Sequence, residues 1–179
     1  MKKTVIGIVW PLCAGKDITA EYLWNKYKLP VYQISSVLKE LAKEENIPRE
    51  RLIEFWREIS KKYGDDYLAK RIIKIAPEEK CILVGMRQIG QISYLRKETN
   101  LTLIGVVANQ EIRFQRMIQR KKLGDPKTIE EFIKIEKKDN NEGIQRVDDC
   151  IKLADIIIFN EKQLSELYHQ IDVSMSKYN

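Results

Sequence analysis

Short apolar runs rich in β-branched residues alternate along this chain with longer segments of helical period, and this alternation restricts the fold more than any other feature. The clearest runs span residues 4–9, 81–84, 101–108 and 155–159, with a weaker fifth at 31–34. Each run is continuously apolar, which is typical of strands buried on both faces of a parallel sheet. Such strands separated by helices predict a doubly wound α/β domain.

Two of the intervening segments carry specific helix signals. Leu52 and Trp56 recur at helical spacing, and Thr128 followed by Glu131 forms a capping box that predicts the start of a helix. Trp56, like Trp24 in an earlier helical segment, is interpreted as a core residue.

The composition indicates one ordinary folded domain over residues 1–179. Hydrophobic residues make up 44% of the chain, enough for a core without disulfides or metal. The 32 Lys and Arg residues against 26 Asp and Glu leave a net charge of +6. Basic residues cluster only in pairs and triplets, which argues against nucleic acid as the main partner.

The expected location is a reducing cytoplasm. Three widely spaced cysteines, at positions 13, 81 and 150, indicate neither a disulfide framework nor a zinc site. The apolar N-terminal stretch stops at Pro11, too early for a secretion signal, and no run approaches the ~18 apolar residues of a membrane span. We therefore expect no membrane partner, and a monomer or a homodimer.

The loop after the first run carries the strongest functional signal. Trp10 to Asp17 precede a helical segment at 18–27, and Gly15 and Lys16 match the glycine and lysine near the end of the GxxxxGK[ST] pattern. Such a loop binds phosphate because its amides turn inward at a helix N-terminus and its lysine reaches the β- and γ-phosphates. Alone, the match is half a motif, and a strand–turn–helix with a chance Gly-Lys pair is the alternative.

Two positions of this loop depart from the pattern. Trp10 stands where the first glycine is expected, but Pro11 favours an extended backbone there, so a glycine is not required. Asp17 replaces the hydroxyl that binds Mg²⁺, and a carboxylate is an acceptable oxygen ligand for that ion. Thr19, two residues further along the helix, is a poor substitute because it points elsewhere.

Polar residues also follow the later strands, at the edge where ligands bind in such sheets. Ser35 opens a helix after the second run, and Arg87 follows the third beside a glycine. Arg113, Arg116 and Arg120 share a helix face after the fourth. Arginines here favour phosphate clamping. The plain alternatives are a helix cap for Ser35, a surface ion pair for Arg87 and a solvated face for the three arginines.

Taken in order, these segments resemble the P-loop nucleoside monophosphate kinases, the adenylate kinase-related family, and their dephospho-CoA kinase-like relatives. Residues 7–17 look like a divergent phosphate loop, 35–39 like the start of the monophosphate-binding helix, and 85–87 like the segment after the third strand. Residues 113–132 are similar to the lid helix and lid, and 154–160 to the last strand, whose loop faces the adenine.

The resemblance implies a P-loop kinase fold with a five-stranded parallel sheet, a helical acceptor-binding insertion at 46–78 and a lid region at 113–140. It implies ATP-dependent phosphoryl transfer, with Mg²⁺ at Asp17, to a nucleoside monophosphate or dephospho-CoA. The implied catalytic residues are Lys16, Arg87, Arg116 and Arg120. Those implied for ATP are Pro11, Leu12, Cys13, Ala14, Gly15, Lys16, Asp17, Ile18, Arg113 and Asn160. Those implied for the acceptor are Ser35, Lys39, Arg57 and Arg87.

Further departures from the family concern carboxylates. Val84 and Ser36 stand where the family usually carries acids, and Lys39 replaces an arginine that grips the acceptor phosphate. A degenerate nucleotide-binding or regulatory protein is therefore the alternative function. A basic RNA-associated ATPase ranks third, because no aromatic-basic surface motif is present.

Overall fold

The apolar runs form a five-stranded sheet with every pair parallel, in the order β2-β3-β1-β4-β5. The protein is described by a computed structural model over residues 2–120, 124–141 and 145–176. Its strands are β1 (Thr4–Val9), β2 (Val31–Gln33), β3 (Lys80–Val84), β4 (Asn100–Val107) and β5 (Ile156–Phe159). The predicted α/β class and parallel sheet are confirmed.

Helices connect the strands and cover both faces of the sheet. They are α1 (Lys16–Tyr27), α2 (Ile34–Glu44), α3 (Leu52–Tyr63), α4 (Tyr67–Ile75), α5 (Ile89–Glu98), α6 (Gln110–Gln119), α7 (Ile129–Asn141), α8 (Val147–Lys152) and α9 (Leu164–Met175). Within the region predicted as an insertion lie α3 and α4, and the region predicted as a lid contains most of α6 and α7. No described helix has the length and apolar character needed to cross a bilayer.

Two cores, one on each face of the sheet, explain why β1 is continuously apolar. Val5 and Val9 pack into a core shared with helices α2 to α5. Ile6 and Ile8 join the opposite core, to which α1 and α9 contribute. Because both faces of β1 are covered, no hydrophobic alternation survives in its sequence. Each fully buried side chain of this size stabilises the fold by ~1.5–3 kcal/mol.

Three details differ from, or sharpen, the sequence prediction. β2 ends at Gln33, and the buried Ile34 already opens α2. Trp56 is a core residue as predicted, but Trp24 is 48% exposed, so its assignment to the core was wrong. α7 begins where the capping box predicted, with the Glu131 amide donating to Thr128 Oγ1 at 3.3 Å.

The outer edge of β5 is covered by a side chain. Phe159 N–H donates to Gln170 Oε1, and Gln170 Nε2 donates to Phe159 C=O, both at 2.9 Å. Gln170 belongs to α9, so the helix is fastened to the edge strand. The Phe159 side chain itself is 56% exposed.

The strand order places the loops that matter at one edge. β1 lies between β3 and β4, with β2 and β3 on one side of it and β4 and β5 on the other. Because all strands are parallel, the loops that follow β1, β2, β3 and β4 meet beyond their carboxyl ends. That edge is where open α/β sheets bind ligands.

Candidate phosphate-binding site

β1 runs directly into a loop whose backbone suits an anion. Gly15 precedes α1 with a φ of 109°, in the left-handed region, and a Cβ there would lie 2.1 Å from Asn160 Nδ2. Position 15 therefore requires glycine, both for its backbone and for the space beside it. The first amides of α1 have no partner within the helix, and the positive end of its dipole lies at this loop.

Side chains behind the loop engage its carbonyl groups. Leu12 C=O accepts from Arg113 Nη1 at 3.0 Å, and Ala14 C=O accepts from Asn160 Nδ2 at 2.8 Å. Both donors are buried, with exposures of 7% for Arg113 and 3% for Asn160. With these carbonyl oxygens held by the protein, the loop favours an anion over a cation.

Lys16, the lysine of the motif, is held by two neighbours. Its ammonium forms an ion pair with Asp17 and lies 5.3 Å from the centroid of the Trp10 ring. Trp10, at the position of the missing first glycine, thus provides a cation–π surface for the lysine. The Asp17 side chain is 86% exposed, which leaves it accessible to solvent and to a metal ion.

Thr19 cannot supply the missing hydroxyl ligand. It is fully buried, and its Oγ1 donates to Gly15 C=O at 3.1 Å. Among the described residues, no group of three or more His, Cys, Asp or Glu side chains is placed to hold a metal. Asp17 is therefore the one carboxylate that the phosphate loop itself offers to Mg²⁺.

A cavity of about 610 Å³ opens in front of this loop, a size typical of small-molecule sites. Part of its lining is the phosphate loop. Another part is an apolar wall, which consists of Ile34, Leu38, Trp56 and Leu68. All four side chains of the apolar wall are less than 9% exposed.

The three arginines of α6 and its C-terminus do not act as one face. Arg116 and Arg120 line the cavity, whereas Arg113 does not. The buried Arg113 guanidinium pairs with Glu136 of α7, and its Nε donates to Ala108 C=O at 2.9 Å. Arg113 thus holds the phosphate loop from behind, and its contact with ATP stays a prediction. Arg120 forms a two-pronged pair with Asp125, at 2.6 and 2.7 Å.

Arg116 has a hydrogen-bonding group left over. Its Nη2 donates to Asn160 C=O at 2.7 Å, but its buried Nη1 has no hydrogen-bond partner among the residues that the structure describes. A buried N–H of a charged group that lacks an acceptor destabilises the protein by ~1–3 kcal/mol or more. An anion between Arg116 and the phosphate loop would supply the missing acceptor.

The candidate acceptor residues divide in the same way. Ser35 and Arg87 line the cavity, while Lys39 and Arg57 are exposed outside it. Arg87 Nη1 donates to Gln145 Oε1, and its C=O accepts from the Arg146 amide at 2.7 Å, so the loop after β3 is fastened to the segment before α8.

Residues 12–18, expected to contact ATP, all line the cavity. Pro11 and Asn160, expected to do the same, lie outside the lining. Asn160 acts on the loop from behind through the Ala14 carbonyl.

Proteins of two archaeal organisms match the chain over most of its length. A UPF0200 protein of Staphylothermus marinus is 30% identical over 172 residues, which cover 94% of this chain and 89% of that protein. A UPF0200 protein of Sulfurisphaera tokodaii is 32% identical over 163 residues, 90% of each. The chain belongs to the UPF0200 family. No family model matches its sequence.

Solved structures show which fold this UPF0200 protein shares. Shikimate kinase from Aquifex aeolicus superposes with a TM-score of 0.59 at 16% identity over 97% of both chains. A gluconokinase from Sinorhizobium meliloti gives 0.56 at 12% identity, over 98% of this chain and 93% of that one. TT1252 from Thermus thermophilus gives 0.70 at 14% identity over the whole of both. The likeness establishes a P-loop kinase-like fold, and the narrower resemblance to nucleoside monophosphate kinases stays a prediction.

Cys13 gives the UPF0200 loop a strained residue. Its φ of 60° is left-handed, which is uncommon for a residue with a Cβ. Burial raises the pKa of its thiol above the ordinary value, although Arg120 opposes that shift. The thiol is therefore kept protonated, as expected of a loop filler rather than of a nucleophile.

Sequence reasoning missed the glutamines behind the apolar wall. Gln88 and Gln91 are 2% and 0% exposed, and Gln88 accepts from Trp56 Nε1. In the UPF0200 sequence they follow Arg87 in what looks like an ordinary polar loop. The one available signal was the pair of amides at i and i+3 entering a helix, which by itself does not distinguish a buried network from a surface one.

Proposed function

We propose that this protein transfers a phosphoryl group from ATP to a nucleotide-like acceptor that already carries a phosphate. The observation that carries the proposal is the meeting of three anion-binding groups in the lining of one cavity: the N-terminus of α1, the Lys16 ammonium and the Arg116 guanidinium, whose buried Nη1 has no partner among the described residues. The fold it shares with shikimate kinase and gluconokinase supports the same class of reaction.

The phosphate-loop part of the lining fits a polyphosphate. Lys16 and Arg116 would hold its oxygens, and the loop amides would add neutral donors that are already oriented. Bound ATP supplies the phosphoryl group, and Mg²⁺ neutralises part of the charge that develops during transfer. Lys16 must exchange Asp17 for the phosphates, which would leave the Asp17 carboxylate available to that ion.

The apolar wall of the cavity supports a flat, apolar acceptor body. Carbon surfaces of Ile34, Leu38, Trp56 and Leu68 form this wall. A nucleobase can stack on an indole and bury its faces there. A sugar or a polyol would instead leave hydroxyl groups without partners, which is costly in a buried site.

The lining also supports a phosphate oxygen, rather than a hydroxyl, as the acceptor nucleophile that attacks the γ-phosphorus of ATP. Asp17 is the only carboxylate among the described residues that line the cavity. A hydroxyl acceptor needs a general base to take its proton, whereas a phosphate, with a second pKa of about 6, already presents an anionic oxygen at pH 7. Arg87 at the cavity is the cation we assign to that phosphate.

A second candidate function is nucleotide binding without transfer. The Lys16–Asp17 ion pair favours it, because the lysine must give up a carboxylate before it can neutralise a phosphate. The two functions share the donor site and differ only at the acceptor.

The test mixes the protein with ATP, Mg²⁺ and one acceptor at a time: nucleoside monophosphates, dephospho-CoA, nucleosides, shikimate or gluconate. ADP release and ³¹P NMR of the product report transfer, and calorimetry reports ATP binding. We expect a new phosphoanhydride with a monophosphate, and ATP affinity at least ~10-fold weaker in Lys16→Ala, about 1.4 kcal/mol. Lys43→Ala, at an exposed position of α2, is the matched control.

Three results would contradict the proposal. Equal ATP affinity of Lys16→Ala and wild type would remove the phosphate-loop assignment. Preferential transfer to a hydroxyl, whether of dephospho-CoA, a nucleoside, shikimate or gluconate, would overturn the acceptor class. ATP binding without transfer to any acceptor would favour the second candidate.

A further inference from the structure

A buried hydrogen-bond network lies directly behind the apolar wall. At its centre is Gln88, whose Oε1 accepts from Trp56 Nε1 at 3.2 Å and from Gln91 Nε2 at 2.9 Å. Its Nε2 donates to Ser60 Oγ at 3.1 Å and to Asp65 Oδ1 at 3.3 Å. A primary amide has two donor hydrogens and two acceptor lone pairs, so the bonding capacity of Gln88 is fully used.

The same network reaches the backbone of the loop after β3. Gln91 Oε1 accepts from the Arg87 amide at 2.9 Å. Trp56 on α3 is therefore connected through Gln88 and Gln91 to Arg87, although 31 positions of sequence separate the tryptophan from the arginine. Buried networks of this kind fix geometry when every member is satisfied.

The network determines what each end of the acceptor region offers. Because Trp56 Nε1 donates to Gln88, the indole contributes carbon surface, not a donor, to the wall. Arg87 contributes a cation at the same cavity. The two glutamine amides thus join Trp56 to the backbone that carries this cation, while the guanidinium itself donates to Gln145.

We propose that Gln88 is a positioning residue that sets acceptor specificity by fixing Trp56 relative to Arg87. This inference rests on the proposed function and adds to it the feature that the site selects: a flat apolar body and an anionic group at a fixed separation. Gln88 lines no part of the cavity, so it acts through its two neighbours.

The first test is Gln88→Leu, which keeps the volume close and removes all four hydrogen bonds. We expect the affinity for nucleoside monophosphate, measured by calorimetry, to fall by ~10-fold or more, and kcat/KM for the acceptor to fall with it. ATP affinity should stay within ~2-fold, since the donor groups lie on α1 and α6. Gln163→Leu, at an exposed position before α9, is the matched control.

A swapped pair separates positioning from simple loss of stability. Gln88→Glu alone places a carboxylate beside Asp65 and removes the donors to Ser60 and Asp65. In Gln88→Glu with Asp65→Asn, the new carboxylate accepts from Trp56, Gln91, Ser60 and the new amide at position 65, with the net charge unchanged. We expect the single variant to lose acceptor affinity and the double variant to recover it to within ~3-fold of wild type.

The outcomes are distinct. If wild type binds no nucleoside monophosphate, the proposed function fails and this inference fails with it. If wild type binds the acceptor but Gln88→Leu binds it equally well, the inference alone is overturned. It is also overturned if ATP and acceptor affinities fall together in Gln88→Leu, or if a folded double variant shows no recovery. Should Gln88→Leu fail to fold, Ser60→Ala and the swapped pair give the same comparison, with a smaller selective loss expected for Ser60→Ala.

Discussion

Replacing Arg116 by methionine would test the central electrostatic argument, because it removes the one buried nitrogen that lacks a partner among the described residues while keeping an extended apolar side chain. If Nη1 donates to a phosphate oxygen in the complex, its loss removes a charged hydrogen bond of ~1.5–3 kcal/mol. ATP should then bind roughly 10- to 150-fold more weakly.

The same substitution should leave the unliganded protein almost as stable as wild type. It removes the hydrogen bond from Nη2 to Asn160 C=O, worth ~1.5–3 kcal/mol for a charged donor. It also removes the penalty of the unpartnered Nη1, ~1–3 kcal/mol. The two terms have opposite signs and offset to within ~2 kcal/mol, so Tm should move by no more than ~8 °C for a chain of this length.

Calorimetry measures the change in ATP affinity, and thermal unfolding with and without ATP measures the change in Tm, both on one preparation of the variant. Arg96→Met is the control, because Arg96 also donates to a backbone carbonyl, that of Leu153 at 2.7 Å, but lies away from the cavity; it additionally loses an ion pair with Asp155. Unchanged ATP affinity in Arg116→Met would refute the assignment of Nη1 to a phosphate. A Tm drop far beyond the control would show that Nη1 is satisfied in the unliganded protein.

Three further changes test other parts of the structure. Cys13→Gly should be neutral or raise Tm by a few degrees, whereas Cys13→Val should lose ~1–2 kcal/mol, because the φ of 60° disfavours a β-branched residue; thermal unfolding of both decides, and equal stabilities would contradict the strain. Asp17→Asn should raise the Mg²⁺ concentration for half-maximal activity and leave metal-free ATP affinity unchanged or tighter; an unchanged Mg²⁺ dependence would show that the ion is held by other groups. Burial raises the pKa of Asp172, but hydrogen bonds from Lys26 and two tyrosines of α1 outweigh burial and leave that pKa below its ordinary value. Asp172 therefore adds stability above about pH 4 that is lost as pH falls through its lowered native pKa, and Asp172→Asn should flatten the acid limb of Tm against pH; an unaltered limb would disprove the linkage.

The sheet and the loop after β1 could be predicted because their signals are local. Continuous apolar runs mark strands buried on two faces, and Gly15 with Lys16 marks a turn into a helix beside an anion. The class of fold follows from general rules of connection, but the order of the strands is known only from the structure. The sheet, this loop and the class of fold can therefore be predicted from the amino-acid sequence without knowledge of tertiary contacts.

The different surroundings of residues at different heights along one helix could not be predicted in the same way. Arg113 and Arg120 are seven residues apart and lie on nearly the same angular face, yet ~10 Å of helix axis separates them. The first turn of α6 packs behind the phosphate loop, so Arg113 is buried against Glu136, while Arg120 reaches the cavity. The sequence spacing of two helix residues gives their angle around the helix axis. Which groups each of them contacts depends on the elements that pack at its height along the axis, and these are known only from the tertiary fold.

Trp24 and Gln88 show the same limit for burial. Residue type suggests that a tryptophan is inside and a glutamine outside, and here both are reversed. α1 buries the side chains of Thr19 and Leu23, and Trp24 falls one residue, about 100°, away from that face. Gln88 is buried because α3 brings Trp56 and Ser60 to it, and both lie about 30 positions earlier in the chain.

The amide of Gln170 bears on whether copies of this protein can associate through the edge of the sheet. An edge strand offers unpaired backbone groups to any extended peptide, and an edge with exposed Ile157 and Phe159 would be an adhesive one. At Phe159 both backbone groups are already hydrogen-bonded, because the Gln170 side chain of α9 takes the place of a neighbouring strand there. The primary amide of Gln170 can do this because it carries a donor and an acceptor on one planar group, and both reach the backbone of Phe159. Gln170 of α9 thus helps to prevent a further strand from pairing with β5.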